Sequence, residues 1–180
     1  MKLLFENAKN REELALEFLS GILQNSPYAN SVYLCGGAVR DAVMGKDVKD
    51  IDLVVTEPDG GIKFAEWLTK KLGVHRPGAN PVTFPRFGTA KLNLRGVKVG
   101  GVDLSDLDIE CVMTRGEAYT PGSRKPQVVY SDLAKDAERR DFTVNALYKD
   151  LATGETLDPT GKGFDDIKRG VIRTPTDPNI

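Results

Sequence analysis

The feature that most constrains the fold is a strand, a glycine pair, a helix and a second strand that follow one another within a short stretch. Val32–Cys35 is an apolar run that predicts a strand, and Gly36–Gly37 ends it. Ala38–Met44 predicts a helix, and the glycine that follows is typical of a helix end. Ile51–Val55 predicts the second strand. This order is the strongest local signal in the chain.

Two aspartates open the second strand. Because side chains alternate faces along a strand, Asp50 and Asp52 point to the same side, about 7 Å apart. Mg²⁺ prefers hard oxygen ligands of this kind, and two such ions can activate a hydroxyl and neutralise a leaving pyrophosphate. An Asp-x-Asp pair alone is more often the solvated face of a strand, so its context decides its meaning.

The glycine pair supplies part of that context. Glycines between a strand and a helix let backbone N–H groups approach a phosphate, and the helix start adds positive potential. Arg40, in the first turns of the helix, is placed to clamp a triphosphate through its planar guanidinium. Taken alone, Gly36 and Gly37 indicate a tight strand–helix turn equally well, and their spacing matches neither a Rossmann fingerprint nor a P-loop.

A third carboxylate is expected on a neighbouring strand. The run from Leu107 to Val112 offers Asp108 and Glu110 on one face, and Arg115 follows shortly afterwards. The residues alone leave the choice between the two carboxylates open.

A charged motif near the C-terminus interleaves with apolar residues at a predicted helix junction. An Arg-Arg-Asp sequence by itself is most often a surface ion-pair cluster of little energetic weight. The apolar residues expected to anchor this element are Phe142, Val144, Ala146 and Leu147. Its polar side is then formed by Arg140, Asp141 and Asn145.

Several of these motifs resemble, in order, the signature of the tRNA nucleotidyltransferase and bacterial poly(A) polymerase family. The matches are Gly36–Asp41, Lys49–Val55, Gly88–Ala90, Ser123–Pro126, Arg139–Leu147, Asp158–Pro159 and Ile172–Pro175. Together they extend over roughly four-fifths of the chain, and an ordered set is far more specific than any one motif.

The resemblance implies an α+β fold with a DNA polymerase beta-like palm, a mixed or antiparallel sheet flanked by helices. It implies transfer of nucleoside monophosphates from ATP or CTP to an RNA 3′-hydroxyl, with Mg²⁺ as cofactor and CCA addition to tRNA ahead of poly(A) addition. The implied metal ligands are Asp50, Asp52 and Glu110. The implied nucleotide-binding residues are Gly36, Gly37, Arg40, Arg115, Arg140, Asp141 and Asn145.

The predicted organisation is a helix within residues 1–28 that packs on a nucleotidyltransferase head over residues 29–180. Helices and strands mix without regular alternation, which also favours α+β. In the family, a neck selects the base and a body and tail grip the tRNA. None of these is expected within the 180 residues, so a partner chain or further domains would supply the grip on RNA.

Composition and net charge do not decide between an enzyme and the other possible functions. The net charge of −1 gives no global attraction for RNA, although 25 Lys and Arg residues allow a local basic patch. Two separated cysteines and the lack of an apolar span predict a cytoplasmic protein that does not enter a membrane. Two alternatives stand beside the enzyme: a head-only NTP-binding or regulatory module, and a nucleotidyltransferase of small molecules or proteins. The Arg-Arg-Asp-Phe-Thr motif argues against the last.

Overall fold

The protein is built around one mixed sheet, seen in a computed structural model that describes residues 9–118, 121–122 and 127–177. The sheet has seven strands in the order β11-β10-β1-β2-β7-β4-β3. Its central pair, β2 and β7, is parallel, and its other pairs are antiparallel. Two hairpins, β5-β6 and β8-β9, lie outside it. The strands are β1 (Val32–Cys35), β2 (Ile51–Val55), β3 (Val82–Phe84), β4 (Thr89–Asn93), β5 (Lys98–Val99), β6 (Val102–Asp103), β7 (Asp108–Met113), β8 (Arg115–Ala118), β9 (Gln127–Tyr130), β10 (Tyr148–Asp150) and β11 (Thr156–Leu157).

In the part of the chain that the structure describes, five α-helices accompany the strands: α1 (Arg11–Leu23), α2 (Gly37–Val43), α3 (Gly60–Lys71), α4 (Leu133–Glu138) and α5 (Gly163–Arg169). α1 begins as its sequence predicts, with a capping box. The Asn10 side chain accepts a hydrogen bond from the Glu13 backbone N–H, and the Glu13 carboxylate accepts one from the Asn10 N–H.

The two faces of the sheet are buried differently. The face behind the acidic residues packs against α1 and α3 and forms the main core, which includes Leu19, Leu34, Leu53, Phe64, Leu68, Leu92 and Ile109. Among the described residues, the acidic face is covered over β10, β1 and β2 by a smaller cluster that includes Val54, Ala137, Ala146 and Tyr148, and Val112 of β7 packs against it. Beyond Val112 the same face leaves Glu110 of β7, Lys91 of β4 and Val82 of β3 exposed.

Some local expectations were wrong. The sequence after the Arg-Arg-Asp motif predicts a helix over Thr143–Tyr148, but the structure has a single 3₁₀ turn there, Thr143–Asn145, because the chain then joins the sheet as β10. Phe142, expected to anchor this element, is instead exposed. The sequence predicts Ser131 as the N-cap of a helix through Arg139, but the cap of α4 is Asp132, since the Asp132 carboxylate accepts the Lys135 N–H. The run Tyr119–Pro126, whose Pro, Gly and basic residues predict a loop, lies largely outside the described residues.

The α+β class with a mixed, mostly antiparallel sheet flanked by helices is confirmed. Within the described part of the chain, no helix is both long enough and apolar enough to cross a membrane.

The packing of α3 on the sheet depends on Gly61. A Cβ atom on Gly61 would lie 2.5 Å from the backbone carbonyl oxygens of Cys111, in β7, and of Gly88, the residue just before β4. Gly61→Ala is therefore expected to lower the free energy of unfolding by about 1–3 kcal/mol. Gly21→Ala is the matched control, because nothing lies within 4 Å of its added Cβ.

In an open helical position such as Gly21, alanine is expected to stabilise the protein by up to about 1 kcal/mol. Urea denaturation of both variants checks the pair. Equal stability of Gly61→Ala and the wild type would contradict the tight helix–sheet contact.

Candidate functional site

Two carboxylates lie side by side on the open face of the sheet. β2 and β7 pair in parallel with Asp52 opposite Glu110, which puts their Cα atoms about 4.8 Å apart. Asp50 lies just before β2, two residues from Asp52 and on the same face. The pairing of two distant segments thus brings together the three carboxylates that the sequence singles out.

The electrostatics of Asp52 reflect this crowding. Its pKa is raised first by burial, then by the negative charges of Glu110 and Asp50, while Arg140 opposes the rise. Neighbouring negative charges disfavour the ionised form of this carboxylate, and a bound cation would offset them.

Asp108, the other candidate on β7, already has hydrogen-bonding and ion-pair partners within the protein. Its carboxylate accepts a hydrogen bond from the Asn93 side chain at 2.9 Å and forms a 2.9 Å ion pair with Lys91. These two partners lower the pKa of Asp108. Glu110 is therefore the carboxylate of β7 that faces Asp52 directly.

The turn between β1 and α2 brings backbone close to an arginine. Gly36 has φ = +69°, a conformation that favours glycine, and a Cβ there would lie 3.8 Å from Nη1 of Arg140. Arg140 is also near enough to Cys35 and Asp52 to oppose the rise in the pKa of each. Cys35 remains a buried thiol, and burial raises its pKa to about 11.

A buried carboxylate that sequence reasoning missed, Asp136, organises this region. Its side chain is 1% exposed and accepts hydrogen bonds from Nε and Nη2 of Arg140 at 3.2 and 3.0 Å. It also accepts the Tyr148 hydroxyl at 2.7 Å and the Arg115 backbone N–H at 2.9 Å. Burial alone would raise the pKa of Asp136, but these partners hold it below the usual value. The i, i+4 spacing of Asp136 and Arg140 on one helix turn was the available signal.

Asp136 gathers more positive charge than it can neutralise. Arg139 lies 3.5 Å from its carboxylate, so Arg115, Arg139 and Arg140 all surround one negative charge. The pKa of Arg115 is lowered by burial and then by Arg139. Among the described residues, the buried Nε atoms of Arg115 and Arg139 have no hydrogen-bond acceptor, although Nε of Arg139 lies 3.5 Å from the Asp136 carboxylate. We call these three residues the arginine cluster; it is suited to an anion because it carries excess positive charge and unused donors.

Arg40, Asp141 and Asn145 form a second, neighbouring network. Arg40 donates from Nε and Nη2 to the Asp41 carboxylate at 2.9 and 2.8 Å, and from Nη1 to the Asn145 side-chain oxygen at 2.8 Å. Asn145 in turn donates to Asp141 at 3.1 and 3.2 Å. This network ties α2 to the segment after α4, and Arg40 packs beside Gly37.

The arrangement suits a hard cation bound together with a phosphate. Among residues 9–118, 121–122 and 127–177, no three His, Cys, Asp or Glu side chains form a ready-made metal cage. Mg²⁺ is commonly held by one or two carboxylates plus substrate phosphates, and such a site remains open without its substrate. The oxygen-only donor set of Asp50, Asp52 and Glu110 fits that mode.

Residues 32–173 match the family described as the poly(A) polymerase head domain. The chain belongs to this family. The match extends from the first residue of β1 to Arg173, and so includes both acidic strands, the glycine pair and the arginine cluster.

Curated relatives and solved structures of the head-domain family agree. The mitochondrial CCA tRNA nucleotidyltransferase of Saccharomyces cerevisiae is 33% identical, over 84% of this chain and 28% of that protein. A solved CCA-adding enzyme, apo form II, superposes with a TM-score of 0.70 at 34% identity, over 93% of this chain and 36% of that one. A tRNA nucleotidyltransferase complexed with a primer tRNA and an incoming ATP analogue gives 0.59 at 30% identity, over 89% and 39%. The chain therefore spans only about a third of these relatives' length.

The role of Asp136 is tested by removing its charge. Asp136→Asn leaves three arginines without their shared counter-ion, so we expect the free energy of unfolding to fall by about 3 kcal/mol. Asp165→Asn removes a carboxylate from the exposed Arg169 pair and is expected to change it by less than about 0.5 kcal/mol. Urea denaturation at pH 7 compares the two, and equal losses would contradict the organising role of Asp136.

The crowding at Asp52 predicts a gain in stability when its charge is removed. Because the folded-state pKa of Asp52 is raised, the folded state binds the proton more tightly than the unfolded state. Its penalty is absent below the unfolded pKa of about 4 and grows as the pH rises from there through the folded pKa.

Asp52→Asn should therefore raise the free energy of unfolding by roughly 0.5–1 kcal/mol at pH 7 in metal-free buffer, and by nothing near pH 3.5. Urea denaturation at both pH values with a chelator present measures this. A destabilised variant at pH 7 would contradict the predicted repulsion.

Proposed function

We propose that the chain is the catalytic head of a metal-dependent nucleotidyltransferase that adds nucleoside monophosphates to the 3′-hydroxyl of an RNA. The observation that carries the proposal is the direct pairing of Asp52 with Glu110 beside the arginine cluster. A metal-bound triphosphate requires a cation-binding site and an anion-binding site side by side.

The carboxylates take the metal side of this proposal. Asp50 and Asp52 are the proposed ligands of Mg²⁺, and Glu110 is the proposed third ligand or brace. When bound, the metal supplies charge neutralisation for the attacking and leaving oxygens and lowers the pKa of the attacking hydroxyl.

The arginine cluster and the glycine turn take the nucleotide side. Arg140 lies close to Gly36, is bonded to Asp136 and acts on the charge of Asp52, so we assign it to the triphosphate together with Arg115. Gly36 and Gly37 let the backbone approach the phosphates. Arg40 is already bonded to Asp41 and Asn145, and we assign this network, with Asp141, to bracing the sugar side.

The reaction is an in-line displacement. The RNA 3′-oxygen forms a bond to the α-phosphorus, and the bond from that phosphorus to the bridging oxygen of the β-phosphate breaks. Pyrophosphate leaves with the bonding electron pair, and the hydroxyl proton passes to solvent. The chain's part is to hold the triphosphate and exclude other orientations, which supplies most of the acceleration in phosphoryl-type transfer.

The RNA is proposed to be tRNA, with CCA-type addition preferred over poly(A) addition. Support comes from the named activity of the yeast relative and from the neighbour that holds primer tRNA with an ATP analogue. Cys35 and Cys111 are buried free thiols, and we propose a reducing compartment such as the cytoplasm.

The carboxylate assignments are tested by transfer of labelled CTP or ATP to a tRNA transcript that lacks its 3′-terminal nucleotides. Asp50→Ala and Asp52→Ala should each lower the rate at least about a hundredfold, because each removes several kcal/mol of charge stabilisation. Glu110→Ala should lower the rate at least about tenfold.

Asp108→Ala is the matched control for Glu110→Ala, since it lies on the same strand and face but is bonded to Asn93 and Lys91. Its rate should stay within about threefold of wild type. Undiminished transfer by the Asp52 variant would overturn the metal site. An Asp108 variant as impaired as the Glu110 variant would overturn the choice of third carboxylate.

A further inference from the structure

An exposed aromatic patch continues the catalytic row of the sheet. Asp52 on β2 pairs with Glu110 on β7, Glu110 with Lys91 on β4, and Lys91 with Val82 on β3. These four side chains therefore lie on one face, in one line. Val82 and Phe84 on β3 and Phe87 in the turn that follows are 43%, 46% and 45% exposed. We call Val82, Phe84, Arg86, Phe87 and Lys91 the β3 patch.

The patch combines apolar rings with positive charge. Arg86 lies with its guanidinium carbon 5.8 Å from the centre of the Phe87 ring. Lys91 is half exposed beside the carboxylates. Rings and cations in alternation are the pattern on which single-stranded nucleic acid stacks its bases while its phosphates are neutralised.

The direction of the reaction points to the same occupant. In an in-line displacement the attacking oxygen and the leaving pyrophosphate lie on opposite sides of the α-phosphorus. The proposed triphosphate site lies toward β1 and α4, on the side of Gly36 and Arg140. The attacking hydroxyl must then come from the side of β7, β4 and β3. Phe84 is two strands from Glu110 and one residue pair along the sheet, or about 12 Å away, within reach of the last few nucleotides.

We propose that the β3 patch is the platform on which the 3′-terminal bases of the acceptor RNA stack as its hydroxyl approaches Glu110. This inference rests on the proposed function and adds the surface that receives the RNA. Phe84 and Phe87 provide the stacking rings, and Arg86 faces the RNA backbone, while Lys91 stays paired with Asp108 at the rim of the patch.

The test is the binding of a short single-stranded RNA with 2-aminopurine at its two 3′-terminal positions, whose fluorescence falls when the base stacks on an aromatic ring. Titration with the full chain gives both a Kd and the extent of quenching. Phe84→Ala combined with Phe87→Ala should weaken binding at least about fivefold and abolish most of the quenching, since base–aromatic stacking contributes about 1–3 kcal/mol per base.

The matched control is Phe164→Ala, which removes a ring of similar exposure from α5. It should bind and quench as the wild type does. Urea denaturation of all three proteins shows whether the variants remain folded, and Arg86→Gln provides an independent variant that should weaken binding and flatten its salt dependence.

Asp52→Ala separates this inference from the proposed function. It should bind and quench the RNA like the wild type although it transfers no nucleotide. Normal quenching by the double phenylalanine variant overturns the platform, even where the wild type transfers nucleotide, and indicates that the patch is covered by something other than RNA. Quenching that depends on Phe84 and Phe87 in a chain without transfer supports the platform and contradicts the proposed function. A wild type that binds no RNA overturns the platform, whereas the proposed function is decided by the transfer assay alone.

Discussion

The parallel pairing of β2 with β7 is the constraint on which the rest of the structure depends. It joins two segments far apart in sequence and places Asp52 directly opposite Glu110. A shift of one residue would turn every acidic side chain into the core and every core side chain out. The main core holds the register, because Ile51, Leu53 and Ile109 are buried against α1 and α3 on the opposite face. The hydrophobic burial on one face of the sheet thus offsets the repulsion between the carboxylates on the other face.

Charge is separated across this face. Three carboxylates lie on, or just before, the central strands β2 and β7. Next to them, three arginines surround the buried carboxylate of Asp136. Burial and neighbouring like charges disfavour the charged form in both groups, as the raised pKa of Asp52 and the lowered pKa of Arg115 indicate. A cation with a bound triphosphate relieves both at once, so the same electrostatic tension that costs stability provides affinity for the proposed substrate.

The sequence predicted those parts of the site that depend on local patterns. The capping box of α1, the strands β1, β2 and β7, and the glycine turn were all readable from spacing. Pairing was not readable, because strand neighbours are set by burial over long distances: the helix predicted over Thr143–Tyr148 runs into the first residue of β10, and the β8–β9 hairpin was missed. Asp136 was missed for a related reason. It lies among charged residues on a short helix, and only the tertiary structure buries it against Tyr148 and Arg140.

The central claim is that Asp50 and Asp52, with Glu110 beside them, hold a metal-bound triphosphate against the arginine cluster. The most direct measurement is a crystal structure of the chain with Mg²⁺ and a non-hydrolysable NTP. We expect Mg²⁺ within about 2.1 Å of carboxylate oxygens of Asp50 and Asp52, and phosphate oxygens bonded to Arg140. A nucleotide bound away from β2 and β7, or a metal ligated by Asp108 in place of Asp52, would contradict it.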